Sequence, residues 1–265
     1  MSRILITGSS EGLGLMADQF LASEGHSVVL HARNQQRSDD ARRALPQAEQ
    51  ILIGDLSSLA QTRSLADQAN RSGPFDAVIH NAGIGYQERR LTKTEDGLSH
   101  VFQINTLAPY VLTALIEKPK RLIYLSSGLH KGADPSLDDI LWNERTWMGF
   151  EAYSESKFYD VLLAFAVARR WPMVFSNAIE PGWVATRMGG DGAKDDLNEG
   201  FRTQSWLAVS DDAGAKVSGQ YFFHKKLREP ARETRDVELQ DRLLAICEKL
   251  SGVKLAGVTP ANEAK

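Results

Sequence analysis

The first residues of the chain, Ile4-Leu5-Ile6-Thr7-Gly8-Ser9-Ser10-Glu11-Gly12-Leu13-Gly14, join an apolar run to a turn with three glycines. The apolar run is typical of a buried strand. After the turn, Leu15, Met16, Phe20 and Leu21 follow at the spacing of one helix face. This stretch therefore predicts a strand, a glycine turn and a helix in immediate succession.

In this context the glycine turn favours nucleotide binding over an ordinary turn. Glycine lets the backbone approach a pyrophosphate, and the N-terminus of the next helix offers N–H donors and a positive dipole end. Glycines also occur in turns that bind nothing, so an ordinary turn is the alternative. The flanking strand and helix are what favour the binding interpretation.

Composition and charge limit the class of protein. The 265 residues are 42% hydrophobic and 25% charged, which fits one globular α/β domain. The net charge of −3 gives no basic field for nucleic acid. A single cysteine, Cys247, excludes an intrachain disulfide, and with six scattered histidines it shows no metal-ligand spacing. We expect a cytoplasmic protein with no metal, no signal peptide and no membrane span, since no apolar run approaches the ~18 residues required.

Strand-like and helix-like segments alternate along the chain. They predict an α/β fold: a single Rossmann-type doubly wound domain over residues 1–251, with about seven parallel strands flanked by helices, and a disordered tail over 252–265. After the first strand, further strands are predicted at 27–32, 51–56, 75–80, 121–128, 173–179 and 217–223, and further helices at 35–48, 58–70, 94–117, 153–170 and 237–250.

The end of the second predicted strand bears on the choice of nucleotide. The first βα unit places the adenosine ribose near this point, where a carboxylate would bind the 2′-hydroxyl and repel a 2′-phosphate. This chain has Ala32-Arg33 there, which favours NADP(H). A plain surface arginine is the alternative, and Glu11 in the glycine turn counts against the phosphate.

Tyr153 and Lys157 stand four residues apart and therefore share one face of a predicted helix. A Tyr-x-x-x-Lys pattern is common and carries little meaning by itself. Here it follows a strand that ends in Ser126-Ser127, in a chain with a nucleotide turn, and this order makes it specific.

Together these motifs resemble the short-chain dehydrogenase/reductase family over residues 3–187. They are the Thr-Gly-x-x-x-Gly-x-Gly turn, Asn81-Ala82-Gly83 after the fourth strand, the serine pair and Tyr-x-x-x-Lys. The family has Asn-Asn-Ala-Gly after the fourth strand, and His80 replaces the first Asn. The segments Phe150-Glu151-Ala152-Tyr153 and Gly219-Gln220-Tyr221-Phe222 resemble the retinol-dehydrogenase-like branch.

The resemblance implies an oxidoreductase that transfers a hydride between nicotinamide and a carbonyl or alcohol substrate, which the branch implies to be lipophilic. Ala32-Arg33 favours NADP(H) as its cofactor. Tyr153 would act as acid/base, with its pKa lowered from ~10 by the Lys157 charge. Ser127, with Ser126 as the competing candidate, would bind the substrate oxygen. Asn105 would hold a relay water, although by its residues alone a surface position on a helix is favoured.

The turn and the resemblance together give a set of cofactor-binding residues. Asp55 belongs to it through the resemblance, although an Asp at this point is otherwise typical of a turn or helix cap. The set is Gly8, Ser9, Ser10, Glu11, Gly12, Leu13, Gly14, Arg33, Asp55, Leu56, Asn81, Ala82, Gly83, Tyr153, Lys157, Pro181, Gly182, Val184 and Thr186.

Some interpretations stay open. The glycine-rich segment 188–205 is either a mobile lid or disordered. An apolar pocket would use side chains that could equally belong to the core: Trp142, Trp147, Trp183, Met188 and Trp206. The expected partner is a small-molecule carbonyl or alcohol. Many family members pair through the helices that carry Asn105 and Tyr153, so a homodimer stays open. A regulatory protein that binds NADP(H) without turnover is the alternative function.

Overall fold

A computed structural model describes residues 1–257, in which eight strands form one sheet. The strand order is β3-β2-β1-β4-β5-β6-β7-β8, with every pair parallel except β7 and β8. The predicted doubly wound α/β fold is confirmed, and a two-residue antiparallel strand extends it. The strands are β1 Arg3–Ile6, β2 Ser27–Ala32, β3 Gln50–Ile53, β4 Ala77–His80, β5 Arg121–Leu125, β6 Phe175–Glu180, β7 Tyr221–Phe223 and β8 Lys226–Leu227.

Helices cover both faces of the sheet. Short 3-10 turns lie at Gly128–Gly132 and Arg232–Arg235, and a π-helical turn, Gln103–Leu107, joins two α-helices. The α-helices are α1 Gly12–Ser23, α2 Gln35–Ala44, α3 Leu59–Ser72, α4 His100–Phe102, α5 Ala108–Leu115, α6 Gly149–Arg170, α7 Leu197–Gly200, α8 Arg202–Val209 and α9 Val237–Ser251.

The sheet separates two hydrophobic clusters because neighbouring residues of a strand point to opposite faces. In β1, Leu5 packs into the cluster under α3, α5, α6 and α9. Ile4 and Ile6 pack into the cluster under α1, α2 and α8. Both faces of the parallel strands are thus buried, which explains their nearly continuous apolar sequences. The carboxyl ends of all seven parallel strands meet at one edge of the sheet.

The predicted helix over 94–117 begins later than its apolar spacing suggested. Lys93 pairs with Ser99 in an isolated antiparallel bridge, and Gly97 turns the chain between them with φ +75°. This small hairpin uses residues 94–99, so α4 starts at His100. Asn105 then falls in the π-helical turn rather than in a regular helix.

The last two parallel strands along the chain, β6 and β7, also differ from their predicted bounds. β7 begins at Tyr221 rather than at residue 217, because residues 217–220 form a turn. The Asn177 side chain holds this turn by donating to Val217 O and accepting from Gln220 N. β6 begins at Phe175 rather than at residue 173.

Residues 252–257 pack against the domain, so a disordered tail from residue 252 is corrected for this part. Val253 and Leu255 are buried, and the Tyr110 hydroxyl donates to Val253 O at 2.8 Å. The Trp171 indole donates to Ala256 O. Residues 258–265 of that tail lie outside the described residues, and the assignment of one domain to 1–251 stays a prediction. Across residues 1–257, no helix combines the length and apolar character needed to cross a bilayer.

Leu255→Ala tests the packing of this segment. We expect the free energy of unfolding to fall by about 2–5 kcal/mol, because a buried leucine leaves a cavity when truncated. Urea unfolding gives the value. Met173→Ala is the matched control, since Met173 is 88% exposed. Equal unfolding curves for Leu255→Ala and the wild type would contradict the packing.

Candidate active site

A cavity of about 940 Å³ opens at the carboxyl edge of the sheet, between the loops that follow β1 and β4. The strand order reverses at this point, and the two loops leave toward opposite faces. We call it the switch-point cavity. The predicted residues that line it are Gly8, Ser10, Glu11, Gly12, Leu13, Arg33, Asp55, Leu56, Asn81, Ala82, Gly83, Tyr153, Lys157, Pro181 and Thr186.

The glycine turn closes onto the end of β4 at a distance that only glycine allows. Gly8 has φ +64°, and a Cβ added there would lie 2.7 Å from Ala82 Cα. A Cβ on Gly14 would lie 2.5 Å from Asn81 Nδ2. Gly14 and the buried Ser9 therefore support the turn from behind, whereas Gly8 and Gly12 line the cavity.

The N-terminus of α1 points its free backbone donors at the cavity. α1 begins at Gly12, and the Glu11 side chain makes no capping hydrogen bond to it. The first turn contains no acidic residue. The first N–H groups of a helix have no partner within it, and they carry the positive end of the dipole. This terminus is therefore suited to an anionic group such as a pyrophosphate.

His31 fixes the glycine turn to the neighbouring strands. Gly8 N donates to His31 Nδ1 at 2.9 Å, and His31 Nε2 lies 2.8 Å from Gly54 O. Burial lowers the pKa of His31, which keeps the ring neutral, with Nδ1 accepting and Nε2 donating. The sequence indicated a strand here and gave no sign of this second role.

Two arginines line the cavity at the end of β2. Arg33 is exposed at the predicted point, and Arg37 lies one helical turn further on, near the start of α2. Arg37 Nη1 lies 3.1 Å from Glu11 Oε2, so the Glu11 carboxylate has a cationic partner. Sequence reasoning missed Arg37, which lies in the first turn of α2, four residues after Arg33.

The ends of β3 and β4 complete this side of the cavity. Asp55 Oδ1 accepts from the backbone N–H and the hydroxyl of Ser57, which is the turn geometry expected from the residue alone. Leu56 lies beside it in the cavity wall. Asn81 Nδ2 donates to Thr7 O and Gly8 O, and so ties the end of β4 to the end of β1.

Tyr153 and Lys157 lie in the opposite wall, one turn apart on α6. Lys157 Nζ is 5.8 Å from the centre of the Tyr153 ring. Burial raises the pKa of Tyr153, and the Lys157 charge and the Ser127 hydroxyl offset this only in part. Lys157 lowers the pKa of Tyr153, as the sequence predicted, but burial raises this pKa by more, so the net shift is upward.

The two serines at the end of β5 have different partners. Ser126 Oγ is buried and donates to Lys157 O at 2.7 Å, so it holds β5 to α6. Ser127 Oγ accepts from Leu129 N at 3.3 Å and keeps its proton for another acceptor. Ser127 caps the 3-10 turn and faces Tyr153, although Ser126 and not Ser127 lines the switch-point cavity.

Asn105 is buried, so its surface interpretation is wrong. Its Nδ2 donates to Ile84 O and to Ser156 Oγ, and its Oδ1 accepts from Ile84 N. The amide thus clamps the loop after β4 to α6. Both N–H groups bind protein acceptors, so the side chain can bind a water only through the second lone pair of Oδ1. π-helical turns are frequent at functional sites.

The segment after β6 covers the cavity with its first part only. Met188 Sδ lies 3.9 Å from the Tyr153 hydroxyl, and the Gln87 side chain donates to Met188 O. Pro181 and Thr186 line the cavity; Gly182 and Val184 do not line it and instead contact Asp195. From Leu197 onward the predicted lid forms α7 and α8, with several side chains in the core. Of residues 186–205 only Thr186, Arg187 and Met188 line the cavity, so a covering role is confined to these three.

For the tryptophans, the alternative between pocket and other packing is decided against the switch-point cavity. Trp142 is buried and donates to Glu155, and Trp206 packs on Phe222. Of that set only Met188 lines the cavity; the side chains of Trp147 and Trp183 donate to backbone carbonyls away from it. The aromatic neighbour of Tyr153 is instead Tyr86, with ring centres 5.8 Å apart. Lining residues that sequence reasoning missed are His31, Arg37, Ser57, Ile84, Gly85, Gln87, His100, Ile104, Leu125 and Arg187.

Comparison with known proteins points to one family. The family model described as short chain dehydrogenase matches residues 2–121. The chain is 44% identical to short-chain dehydrogenase chyC of Penicillium rubens over 259 residues, covering 96% of this chain and 99% of that protein. It is 30% identical to retinol dehydrogenase 14 of Mus musculus, covering 94% of this chain and 86% of that protein.

A solved structure agrees in fold. The crystal structure of a putative uncharacterized protein from Mycobacterium Paratuberculosis superposes with a TM-score of 0.81 at 25% identity. The match covers 97% of this chain and 95% of that one.

Proposed function

The chain belongs to the short-chain dehydrogenase family of oxidoreductases, and we propose that it uses NADP(H) to interconvert a carbonyl compound and an alcohol. The observation that carries the proposal is the composition of one cavity. Its one wall holds a glycine turn with a free helix N-terminus, and its other wall holds Tyr153 and Lys157.

The residues of the cavity fit a dinucleotide along its whole length. The pyrophosphate would lie at the N-terminus of α1, where the donors lack side-chain caps. The small residues Ala82 and Gly83 allow close approach at the end of β4. Pro181 and Thr186 would lie beside the nicotinamide end. When bound, this cofactor supplies or accepts the hydride, and the protein supplies orientation and proton transfer.

Tyr153 is the proton donor in the proposed reduction and the acceptor in the reverse direction. Its hydroxyl would give its proton to the substrate oxygen as the carbonyl becomes an alcohol, and Lys157 would stabilise the phenolate that remains. Ser127 would donate its hydrogen bond to the same substrate oxygen. Asn105 would support a water between Lys157 and solvent. A pure binding protein has no use for a positioned proton donor, which argues against the regulatory alternative.

The charges at the end of β2 support NADP(H) as the cofactor. Arg33 presents a planar, permanently charged fork to the cavity. Arg37 adds a second one and binds Glu11, so the carboxylate that counts against a 2′-phosphate is already paired. Both arginines would lie beside the adenosine ribose of the dinucleotide, which carries the 2′-phosphate in NADP(H).

The substrate end of the cavity supports a lipophilic small molecule. Tyr86 and Met188 lie beside Tyr153, and the ring centres of Tyr86 and Phe150 are 5.9 Å apart. Phe150 is 52% exposed and offers apolar surface next to Tyr86. The homodimer stays a prediction that nothing on this surface bears on.

Tyr153→Phe tests the proton donor. The change removes the hydroxyl and keeps the ring, so turnover should fall by about 10²–10⁴-fold, as is typical for the loss of a general acid/base. Initial rates with a panel of ketones, aldehydes and alcohols and both nicotinamide cofactors measure it. Cofactor binding, followed by fluorescence, should persist. Turnover close to that of the wild type would exclude Tyr153 from this role.

Ser127→Ala and Ser126→Ala form a matched pair for the second group. We expect Ser127→Ala to lower kcat more, because its hydroxyl proton is available to the substrate oxygen. Ser126→Ala removes a bond to the backbone of α6 and should mainly reduce stability, by about 0.5–1.5 kcal/mol. Rates and urea unfolding of both variants separate the two effects. The reverse order in kcat would mean that Ser126 binds the substrate.

Arg33→Ala tests the choice of cofactor. A hydrogen bond to a charged group contributes about 1.5–3 kcal/mol, which is roughly 10- to 150-fold in affinity. The wild type should bind NADPH about tenfold or more tightly than NADH, and Arg33→Ala should remove most of this difference by weakening NADPH alone. Calorimetric titration of each protein with both cofactors measures it.

Arg43→Ala is the control, because Arg43 lies in α2, the helix that follows Arg33, and pairs with Asp40 outside the cavity. It should leave both affinities unchanged. Equal binding of NADPH and NADH by the wild type would overturn the assignment of the cofactor.

A further inference from the structure

A buried carboxylate lies against Lys157 and has no part in the chemistry described so far. Asp160 is one turn further along α6, and its Oδ2 lies 2.8 Å from Lys157 Nζ. The side chains of both residues are almost fully buried, at 6% and 3% exposure. An ion pair of this kind in the wall of a cavity calls for a physical account.

The hydrogen bonds of Lys157 leave one direction open. An ammonium group has three N–H donors. One donates to Leu125 O at 2.8 Å and one to Asp160 Oδ2 at 2.8 Å. The remaining one is directed to the cavity, where a Cβ added to Gly83 would lie 3.5 Å from Nζ. Asp160 and the end of β5 therefore hold the ammonium from two sides.

Stability alone does not account for Asp160. Among the residues that the structure describes, its Oδ1 is buried without a hydrogen-bond partner. Taking two charges out of water costs several kcal/mol, and an ion pair with an unsatisfied oxygen recovers this incompletely. A well-packed apolar residue at this position would cost less.

We infer that Asp160 is a positioning residue, which keeps the buried Lys157 side chain protonated and aimed at the second ribose of the bound cofactor, the nicotinamide ribose that would lie beside Tyr153. The inference rests on the proposed function, since it concerns how this chain holds its cofactor. Asp160 does not touch the cofactor or the substrate, and it acts only through Lys157.

The electrostatics of the pair agree with this role. Burial alone lowers the pKa of Lys157, whereas the Asp160 carboxylate raises it, and the pKa of Lys157 lies above its ordinary value. Burial raises the pKa of Asp160 to about 7, although Lys157 lowers it. Above neutral pH both members are therefore ionised. Without the carboxylate, burial would dominate and Lys157 would lose its proton at a lower pH.

The other titratable groups near the pair do not change their protonation state over the pH range of the test below. Tyr124 in β5 has its pKa raised by burial, and its hydroxyl shares Thr113 Oγ1 with His80 of β4. Burial lowers the pKa of His80 to about 3. The pKa of Tyr153 is raised as well. Between about pH 7.5 and pH 9.5 these groups stay neutral, so a change in binding there reports on Lys157.

Asp160→Asn tests the inference through cofactor binding rather than turnover. NADPH affinity is measured by fluorescence titration at several values between about pH 7.5 and pH 9.5. The wild type should show a constant Kd over this range. The variant should lose affinity as pH rises, by about tenfold or more, because a deprotonated Lys157 loses the charge-assisted hydrogen bond to the nicotinamide ribose.

Three further proteins assign the effect. Asp160→Asn/Lys157→Met should bind weakly with no pH dependence, because the titrating amine is gone. Asp160→Glu keeps the charge and should restore the constant profile. Asp241→Asn is the matched control. Asp241 lies on α9 and pairs at the surface with Arg169 and Arg170, which are on α6 like Lys157. This variant should match the wild type.

The outcomes are distinct. A constant Kd in Asp160→Asn, or pH-dependent loss in Asp160→Glu, overturns the role of Asp160 and leaves the proposed function intact. Loss of affinity with pH in the wild type overturns the role too, whether or not the variants fold. A wild type that binds neither NADPH nor NADH at any pH overturns the proposed function and, with it, this inference.

Discussion

The site depends on the close approach of the first turn to the end of β4. Gly8 lies against Ala82, and Gly14 lies against Asn81, at distances that no side chain would permit. This contact brings the N-terminus of α1 to the point where the strand order reverses. The opposite wall is carried by α6, so a bulkier turn would shift the N-terminus of α1 relative to Tyr153 and Lys157.

The second half of the site is organised by α6, which is anchored to the sheet through polar contacts. Ser126 binds the backbone of Lys157, and Asn105 binds Ser156, so the helix is held on two sides at the turn that carries Lys157. Side chains on rigid elements keep their positions better than side chains on loops. Tyr153 and Lys157 are therefore fixed before any ligand arrives, whereas Met188 reaches them from a loop.

The sequence predicts the parts of the site that follow from local order, and it misses those made by contact across the fold. The glycine turn, Arg33 and the Tyr153 and Lys157 pair follow strands or share a helix face, so their positions could be predicted. Arg37 meets Glu11 over 26 residues, and no local pattern shows that pairing. From its residues alone Asn105 was assigned to a helix surface, because the contacts that bury it come from Ile84 and Ser156, which are distant in the sequence. The tryptophans stayed open for the same reason, since an apolar side chain fits a core as well as a pocket.

The distribution of charge divides the cavity into two ends with different requirements. At the end with the glycine turn, Arg33 and Arg37 line the cavity together with the free terminus of α1, and Glu11 balances only part of this positive charge. At the other end, Lys157 and Asp160 form a nearly neutral pair beside Tyr153. An anion is held by net charge, whereas proton transfer at Tyr153 needs a cation whose protonation does not change with its surroundings. A lone lysine in so buried a position would be a cation only at low pH. The carboxylate of Asp160 keeps Lys157 protonated, but its negative charge also weakens the attraction between the lysine and a phenolate at Tyr153.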